Sequence, residues 1–408
     1  MTDAQPFEDA TEIRGGSARA TVLLSFGLVV NLAALMTFAA TLNEIAADWS
    51  LDASRSGWIG GIYFAGYAIA VPFLASATDR MDARWLYVGS ALLGAAASFA
   101  FALFARGFVL ALALRFLGGV GLAGVHMPGL NLLMDRIDRS FQGRAAGIYT
   151  SSYAAGSAGS FLIAGLVDAA FGWRATFIAA GIGPLLSIGA LGLLPAGSSR
   201  RTFEKRPPPL RALLCNRALM AYVAAFAGNT WEVFAVRVWF VAYLAWLLHL
   251  PGNHISLPPL GVVSGVASLA GVPVSMVMAE IAARRRRRPV VIGICLVSVA
   301  TCVALSATAG GSIWIALPLL VLVQITSFAD VGALAGGAVA AADPAQRGAA
   351  LALYALGGFT TGFLGPVAVG NVLDWFGGAA SASGWIAGFA VIAIGSAVAA
   401  LAVWRAPE

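Results

Sequence analysis

Two charged side chains stand inside one long apolar run, in the stretch NTWEVFAVRVWF at residues 229–240. Glu232 is an acid that can release a proton, and Arg237 is a permanent cation whose planar guanidinium suits carboxylates and phosphates. A charge in the middle of a membrane costs about 2.5–3.5 kcal/mol on insertion scales. Each residue is therefore expected to be paired, protonated or in contact with a wet cavity, and each is a candidate functional group.

Asp330 and His126 lie in other apolar runs and can also exchange protons. Two interpretations stay open for Glu232 and Asp330, namely proton coupling or a static salt bridge with Arg237. His126 either joins a proton relay or bonds a neighbouring helix. Five residues turn a helix through about 500°, which separates Glu232 and Arg237 by about 140°. One of them is expected to face a substrate and the other a neighbouring helix.

The composition indicates that membrane-spanning helices position these groups. Of the 408 residues, 60% are hydrophobic and 11% are charged, and the mean hydropathy is +0.85. Soluble proteins carry about 25% charged residues, so a soluble globular fold is excluded. Apolar runs of about 20 residues, together with 48 glycines, predict closely packed transmembrane helices. The polar first 18 residues are expected to form a tail rather than a cleaved signal.

Hydropathy predicts twelve spans in two groups of six. The predicted spans are residues 20–42, 56–77, 85–105, 108–131, 144–168, 173–194, 218–247, 258–281, 289–308, 312–338, 347–373 and 381–404. A polar segment with six basic residues and three consecutive prolines separates the two groups. The expected domains are a cytoplasmic tail 1–19, a six-helix bundle 20–194, a cytoplasmic linker 195–217, a second six-helix bundle 218–404 and a cytoplasmic tail 405–408.

Basic residues divide unequally between the two sides of the predicted bundle. Of the 25, only Arg55, Arg106 and Arg174 fall on the side opposite the termini, and Arg115 and Arg237 fall within spans. Because Lys and Arg are retained on the cytoplasmic side, both termini are expected in the cytoplasm of a bacterial-type cell, with the chain crossing the inner membrane many times. The net charge of +6 is thus explained by topology, and no nucleic-acid partner is expected.

The two halves carry an internal repeat. The stretches VPFLASATDRMDAR at 71–84 and VPVSMVMAEIAARR at 272–285 each hold a proline, an acid seven residues later and an arginine five residues further. Duplicated halves are typical of secondary transporters, which bind a solute between them. The two stretches are 201 residues apart in the sequence. At the same separation Asn31 corresponds to Glu232 and Met36 to Arg237, so the two halves are expected to carry different polar groups with different roles.

The loop after the second span resembles a signature of the major facilitator superfamily, through Asp79, Arg80 and Arg84. Other positions depart from that signature, namely Ala75, Asp82 and Ala83. These charges either form a latch between conformations or simply mark topology and keep the loop soluble.

The fourth span is similar to the family motif Arg-x-x-x-Gly-x-Gly-x-Ala, through Arg115, Gly119, Gly121 and Ala123, and FGWRATF at 171–177 resembles the family's entry into span 6. The resemblance suggests a coupling or gating role for Arg115. The alternative is that its long side chain extends to the membrane interface.

The resemblance implies an all-α integral membrane fold of twelve helices in two pseudo-symmetric bundles, with spans 1, 4, 7 and 10 around a central cavity. The candidate cavity and substrate residues are Arg237, Asn31, Tyr63, Tyr67, Asn131, Trp231 and Gln324. The candidate proton-coupling residues are Glu232, Asp330 and His126. The candidate gating residues are Asp79, Arg80, Arg84, Arg115, Gly119, Gly121, Glu280 and Arg285.

The favoured function is proton-coupled uptake of a small solute by alternating access, and Arg237 favours an anion. A proton antiporter that exports drugs or metabolites and a receptor or scaffold without flux stay open. The Gly-Pro motif that the family's exporters carry in span 5 is missing, and Gly365-Pro366 lies in span 11 instead. No cofactor, metal or enzymatic site is expected, because no nucleotide loop, metal-ligand spacing or nucleophile constellation is present. The three cysteines are interpreted as packing residues, and the chain is expected to act as a monomer in the lipid bilayer.

Overall fold

The computed structural model describes residues 5–78, 81–137, 141–194, 210–343 and 346–406. The predicted gating residues Asp79 and Arg80 and most of the predicted linker lie outside the described residues. Within these ranges every regular element is a helix. The all-α fold class is therefore confirmed.

Eleven helices of the described chain are long and apolar enough to cross a membrane. One of them, Gln142–Gly192, has 51 residues, and a straight helix of this length would extend about 77 Å, far beyond a bilayer of about 30 Å. It is divided at Gly172, where φ is 76° and ψ is 173°, a conformation that suits glycine. The two parts are spans 5 and 6, which gives twelve spans in two bundles of six.

The spans keep the order that hydropathy predicts. Span 1 begins with Gln5–Asn31 and continues as Leu32–Ala34, Thr37–Ala40 and Leu42–Trp49. Spans 2 to 4 are Ala53–Thr78, Ala83–Phe104 and Phe108–Met134. After a short helix, Leu210–Cys215, spans 7 to 9 are Arg217–Leu248, Leu260–Arg284 and Arg287–Ala307. Span 10 consists of Ile313–Ala329 and Val331–Ala341, and spans 11 and 12 are Arg347–Trp375 and Ala382–Arg405.

Glycines in span 4 allow close contact with its neighbours in the first bundle. A Cβ atom at Gly119 would lie 1.9 Å from the carbonyl oxygen of Tyr63 in span 2. A Cβ atom at Gly121 would lie 2.8 Å from the backbone nitrogen of Gly94 in span 3. Both predicted gating glycines are thus positions where helix backbones touch, which is the usual role of small residues between transmembrane helices.

The two bundles contact each other on the side opposite to the described ends of the chain, here called the far side, as distinct from the tail side. Asp374 at the end of span 11 accepts hydrogen bonds from the backbone nitrogens of Ala53, at 3.0 Å, and Ser54, at 2.7 Å. These nitrogens are the unpaired donors at the start of span 2, where a carboxylate also interacts favourably with the helix dipole. Span 11 of one bundle therefore caps span 2 of the other.

Further contacts join the bundles on the far side. A Cβ atom at Gly165 in span 5 would lie 2.6 Å from the backbone nitrogen of Val262 in span 8, so these helices touch directly. The Asn43 side chain donates a hydrogen bond to the carbonyl oxygen of Val241 in span 7, at 3.4 Å. Spans 1, 2 and 5 thus pack against spans 7, 11 and 8 at this side.

Candidate substrate and ion sites

Arg237 lies at the interface between the two bundles and is only 3% exposed. Its Nη1 donates a hydrogen bond to Ser157 Oγ of span 5, at 2.7 Å, and its guanidinium lies 5.2 Å from the centre of the Phe328 ring of span 10. Within the described part of the chain, no carboxylate lies within ion-pair distance of Arg237. The guanidinium therefore has donors and a full positive charge available for an anion.

Glu232 points into the second bundle, away from Arg237. Its two carboxylate oxygens accept hydrogen bonds from Ser298 Oγ of span 9 and Ser396 Oγ of span 12. Its side chain is 1% exposed. The residues that the structure describes contain no ion pair between Glu232 or Asp330 and Arg237, so a static salt bridge is not what holds the acids.

Asp330 lies at the interruption of span 10, beside the same helices. Its Oδ1 accepts a hydrogen bond from Asn229 Nδ2 at 2.6 Å, and its Oδ2 lies 3.6 Å from the Sγ of Cys295. The two acids and the residues around them are called the acid cluster: Asn229, Glu232, Cys295, Ser298, Thr326, Asp330 and Ser396. The partners of both carboxyl groups in this cluster are neutral hydroxyl, amide and thiol groups.

His126 lies among aromatic rings of the first bundle. Its Nδ1 is 2.7 Å from the hydroxyl oxygen of Tyr67, and the Tyr153 ring centre lies 5.0 Å from that of the imidazole. The Tyr67 ring in turn lies 4.0 Å from the ring of Phe359 in span 11. His126 is thus one hydrogen bond away from the contact between the bundles.

Arg115 holds the interruption of span 1. Its Nη1 and Nη2 donate hydrogen bonds to the carbonyl oxygens of Ala34, at 2.8 Å, and Leu35, at 3.0 Å, and the guanidinium lies 4.4 Å from the Tyr63 ring centre. At 4% exposed, its side chain does not extend to the membrane interface. Carbonyls that lose their helical partners are satisfied here by a cation from span 4.

Two predicted cavity residues of the first bundle point elsewhere. Asn31 is buried, and its Nδ2 lies 3.5 Å from Ser187 Oγ of span 6, within its own bundle. Asn131 is exposed near the tail-side end of span 4, one turn before the helix ends at Met134. Neither residue is one of the neighbours of Arg237 described above, Ser157 and Phe328.

Two predicted cavity residues of the second bundle pack within that bundle. Trp231 Nε1 donates a hydrogen bond to the carbonyl oxygen of Val391 in span 12, at 3.0 Å. Gln324 Nε2 donates to Ser268 Oγ of span 8, at 2.6 Å. Among the candidate cavity residues, the contacts between bundles therefore concentrate on Arg237 and Tyr67.

The described gating candidates at the tail side are near the ends of spans 3 and 8. Glu280 Oε1 pairs with Arg284 Nε at 2.5 Å, and both side chains are exposed. Arg285 is exposed as well, and the backbone nitrogen of Arg84 donates to Asp82 at the start of span 3. An exposed ion pair of this kind contributes about 0–1 kcal/mol.

A cavity of about 530 Å³ lies at the tail side of the first bundle, near the ends of spans 1 and 5. Its lining includes Thr21, Ile137, Phe141, Arg144 and Ile148. None of the candidate cavity, coupling or gating residues that the structure describes lines it. The cavity is therefore separate from Arg237 and its neighbours Ser157 and Phe328.

Several partners of the charged residues were not identified from the sequence. They are single hydroxyl, amide or aromatic side chains in apolar runs: Ser157, Asn229, Ser298, Phe328 and Ser396. Each offers one weak signal, a polar or aromatic group in a transmembrane run, without any indication of its partner. Asn229 is the exception, because it lies one helical turn before Glu232 on the same face of span 7.

A family model described as Major Facilitator Superfamily matches residues 24–342 of the chain. Among solved structures, the chain resembles a bacterial homolog of the human lysosomal transporter Spinster in an inward-facing and occupied conformation. The TM-score is 0.80 at 15% identity, and the alignment covers 96% of this chain and 97% of that chain. At this identity the structural similarity concerns the fold alone.

Two curated transporters of Acinetobacter baylyi are related in sequence. The niacin transporter NiaP is 30% identical over 141 residues, which cover 35% of this chain and 32% of that protein. The cis,cis-muconate transport protein is 27% identical over 161 residues, which cover 40% of this chain and 39% of that protein. The chain thus matches only 32% and 39% of the length of these relatives.

Proposed function

The chain belongs to the Major Facilitator Superfamily, and from that premise we propose that it takes up a small organic anion together with protons, by alternating access. The proposed location is the inner membrane of a bacterial-type cell, with both termini in the cytoplasm. The tail side is then the cytoplasmic side, and the far side faces outward.

The observation that carries the proposal is the buried guanidinium of Arg237 at the bundle interface. It is bonded to a neutral hydroxyl and lies over an aromatic ring, without a carboxylate partner among the described residues. A buried, uncompensated cation is costly, and an anionic substrate supplies the missing charge. Its planar fork favours a carboxylate over a neutral solute.

The related transporters support an organic acid as the substrate. Niacin and cis,cis-muconate, after which the two related proteins are named, both carry carboxyl groups. A carboxylate would approach Arg237 between span 5, which carries Ser157, and span 10, which carries Phe328. Binding there would draw both bundles toward one ligand, as alternating access requires.

Proton coupling is assigned to Glu232 and Asp330, with His126 as a further carrier. Both acids are buried with neutral partners, so the charged form of each lacks compensation unless a proton or another cation is bound. Asp330 follows Phe328 by two residues, and Phe328 packs under Arg237. A substrate that displaces Phe328 would thereby act on the interruption of span 10 and on the acid beside it.

An uptake assay in proteoliposomes tests the proposal. Purified protein is given radiolabelled nicotinate, benzoate or cis,cis-muconate, with neutral nicotinamide as a charge control, with and without an inward proton gradient. We expect that the proton gradient stimulates uptake of one of the carboxylates and that the lumen becomes more acidic as the substrate enters. If the protein instead moved a cationic dye out of the vesicles in exchange for protons moving in, it would be an exporter. Binding of a carboxylate without flux would indicate a receptor.

The variant Arg237→Ala tests the role of the guanidinium. Hydrogen bonds to charged groups contribute about 1.5–3 kcal/mol, so we expect the affinity for the carboxylate to fall about 10- to 150-fold. Arg237→Lys retains the charge but loses the fork and should fall less. Arg106→Ala, at an exposed far-side position, is the matched control. An unchanged affinity in Arg237→Ala would exclude the anion assignment.

A further inference from the structure

The acid cluster holds two carboxyl groups and no basic side chain. Glu232 and Asp330 are 1% and 3% exposed, and their partners are Ser298, Ser396, Asn229 and Cys295. Proton exchange can neutralise such a cluster, but its composition also resembles that of a cation site. Hard cations prefer carboxylate, hydroxyl and carbonyl oxygens.

The oxygens around Glu232 form a group with a single negative charge. Both carboxylate oxygens are in contact with serine hydroxyls, of Ser298 and Ser396. Ser298 Oγ also lies 3.0 Å from Thr326 Oγ1. Spans 9 and 12 thus each direct a hydroxyl group to one carboxylate of span 7, and span 10 adds the Thr326 hydroxyl beside that of Ser298. These contacts contain one carboxylate and otherwise neutral oxygens, so with Asp330 protonated the group matches a monovalent cation rather than a divalent one.

Asn229 provides independent evidence that the acid cluster contains more hydrogen-bond acceptors than donors. Its Nδ2 donates to the carbonyl oxygen of Ser327, at 2.7 Å, and to Asp330 Oδ1, at 2.6 Å. Since the carbonyl oxygen of Ser327 can only accept, Nδ2 must be the atom that faces it, and Oδ1 is then the other atom of the amide. This Oδ1 is buried without a hydrogen-bond partner. An unsatisfied buried acceptor costs about 1–3 kcal/mol, which a bound cation would offset.

The cluster also lies at the interruption of span 10, between Ile313–Ala329 and Val331–Ala341. Discontinuous transmembrane helices are places where transporters coordinate Na⁺, because the ends of the half-helices leave carbonyl groups unpaired. In span 10 the carbonyl oxygen of Ser327, in the last turn of the first half-helix, accepts from Asn229 Nδ2, and the acceptor left without a partner is Asn229 Oδ1.

We propose that the acid cluster binds one Na⁺ ion, with Glu232, Ser298, Ser396, Thr326 and the unpartnered Oδ1 of Asn229 as the source of its oxygen ligands. The ion replaces one proton on Glu232, so the site exchanges one Na⁺ for one H⁺. The other titratable groups nearby are Asp330, Cys295 and Cys302, and Tyr354 faces Asp330. The use of this ion to drive uptake rests on the proposed function, but the binding itself does not.

Thermal unfolding and calorimetric titration of the purified full chain in detergent, without substrate, test the site. NaCl is titrated against choline chloride at constant ionic strength. We expect a saturable rise in Tm with Na⁺ and a half-saturating concentration that increases up to about tenfold for each unit fall in pH, because one proton competes with one Na⁺. Equal effects of Na⁺ and choline would overturn the proposal, as would tighter binding of Ca²⁺ than of Na⁺.

Variants assign the effect to the cluster. Glu232→Gln should abolish the Na⁺ response, and Ser396→Ala or Thr326→Val should weaken it at least about 10- to 100-fold, the range observed even for groups that only support a metal ligand. The two milder variants keep the test valid if Glu232→Gln does not fold. Asp52→Asn, which removes an exposed carboxylate that pairs with Arg55, should respond like the parent chain. A full response in Glu232→Gln and Ser396→Ala would place the ion elsewhere.

The two proposals fail separately. Carboxylate uptake driven by a proton gradient in Na⁺-free buffer, with no Na⁺ effect on Tm, would support the proposed function and exclude the Na⁺ site. A Na⁺-dependent Tm that requires Glu232, without flux of any carboxylate tested, would support the site and exclude the proposed function.

Discussion

Among the described residues, span 1 is interrupted at residues 32–36 and again at Thr41, and span 10 is interrupted at Asp330, so each half of the molecule contains a broken helix. In span 1, Arg115 donates to two carbonyl oxygens, and Ser160 Oγ accepts from Met36 N, at 3.0 Å, and donates to Ala33 O, at 2.7 Å. In span 10, the residue at the interruption is itself an acid, and its partners are an amide and a thiol.

The two interruptions differ in whether the groups that stabilise them depend on a bound proton or cation. The guanidinium of Arg115 stays charged, so the hydrogen bonds that it makes do not depend on pH or on a ligand. Asp330 and Glu232 need a proton or a cation to become neutral, so the stability of the interruption in span 10 depends on what is bound. We infer that span 1 is a fixed structural element and that span 10 is the element that responds to ions.

The largest expected effect is that of Arg115→Ala on stability. The substitution leaves the carbonyl oxygens of Ala34 and Leu35 without their donors, at about 1–3 kcal/mol for each. The free energy of unfolding should therefore fall by about 2–6 kcal/mol, measured by denaturant titration in detergent. The loss should be the same at pH 6 and pH 8, because Arg115 does not titrate in this range.

Two controls accompany this prediction. Arg115→Lys keeps a donor and should recover part of the loss, whereas Arg106→Ala removes an exposed arginine and should leave stability unchanged. If Arg115→Ala unfolds like the parent chain but loses uptake, then Arg115 acts in coupling, as the family resemblance suggested, and the interruption of span 1 does not depend on it.

A smaller loss is expected for Ser160→Ala, which tests the second group that holds span 1. The carbonyl oxygen of Ala33 also accepts from Thr37 Oγ1 at 2.8 Å, so only the Met36 N–H loses its partner. The expected loss is about 1–3 kcal/mol, for a single stranded donor. Ser152→Ala is the matched control, since that hydroxyl bonds Ile148 O of its own helix. A loss as large as that of Arg115→Ala would show that Ser160 does more than satisfy one N–H.

Much of the fold follows from the sequence, because a membrane imposes strong rules on composition. The seventh span was predicted at 218–247 and is Arg217–Leu248, and the predicted gap between spans 5 and 6 contains Gly172. The interruptions were missed. Residues 32–36 read LAALM, with no glycine or proline, and the helix breaks there because Arg115 and Ser160, distant in sequence, supply the missing hydrogen bonds.

The candidate site was predictable in type but not in arrangement. The helical angle separates Glu232 from Arg237, and the two side chains do contact different neighbours. Which one faces the other bundle depends on Ser157 for Arg237 and on Ser298 for Glu232, which are 80 and 66 residues away. Periodicity carries no information on such distant partners, so the sequence alone left both orientations open.

The smallest expected change in stability is that of Asp330→Asn, and it separates the two interruptions most directly. The amide has the shape of the carboxyl group, can accept from Asn229 Nδ2 through its oxygen, and needs no counter-charge, so unfolding should change by less than about 1 kcal/mol. Uptake driven by a proton gradient should nevertheless fall at least about tenfold, while exchange of labelled for unlabelled carboxylate continues, because coupling and not binding is lost. Asp52→Asn, which removes an exposed acid that pairs with Arg55, is the control for loss of charge. A destabilisation as large as that of Arg115→Ala would mean that the acid in span 10 holds its helix as rigidly as the cation holds span 1, and the distinction between a fixed and a responsive interruption would not stand.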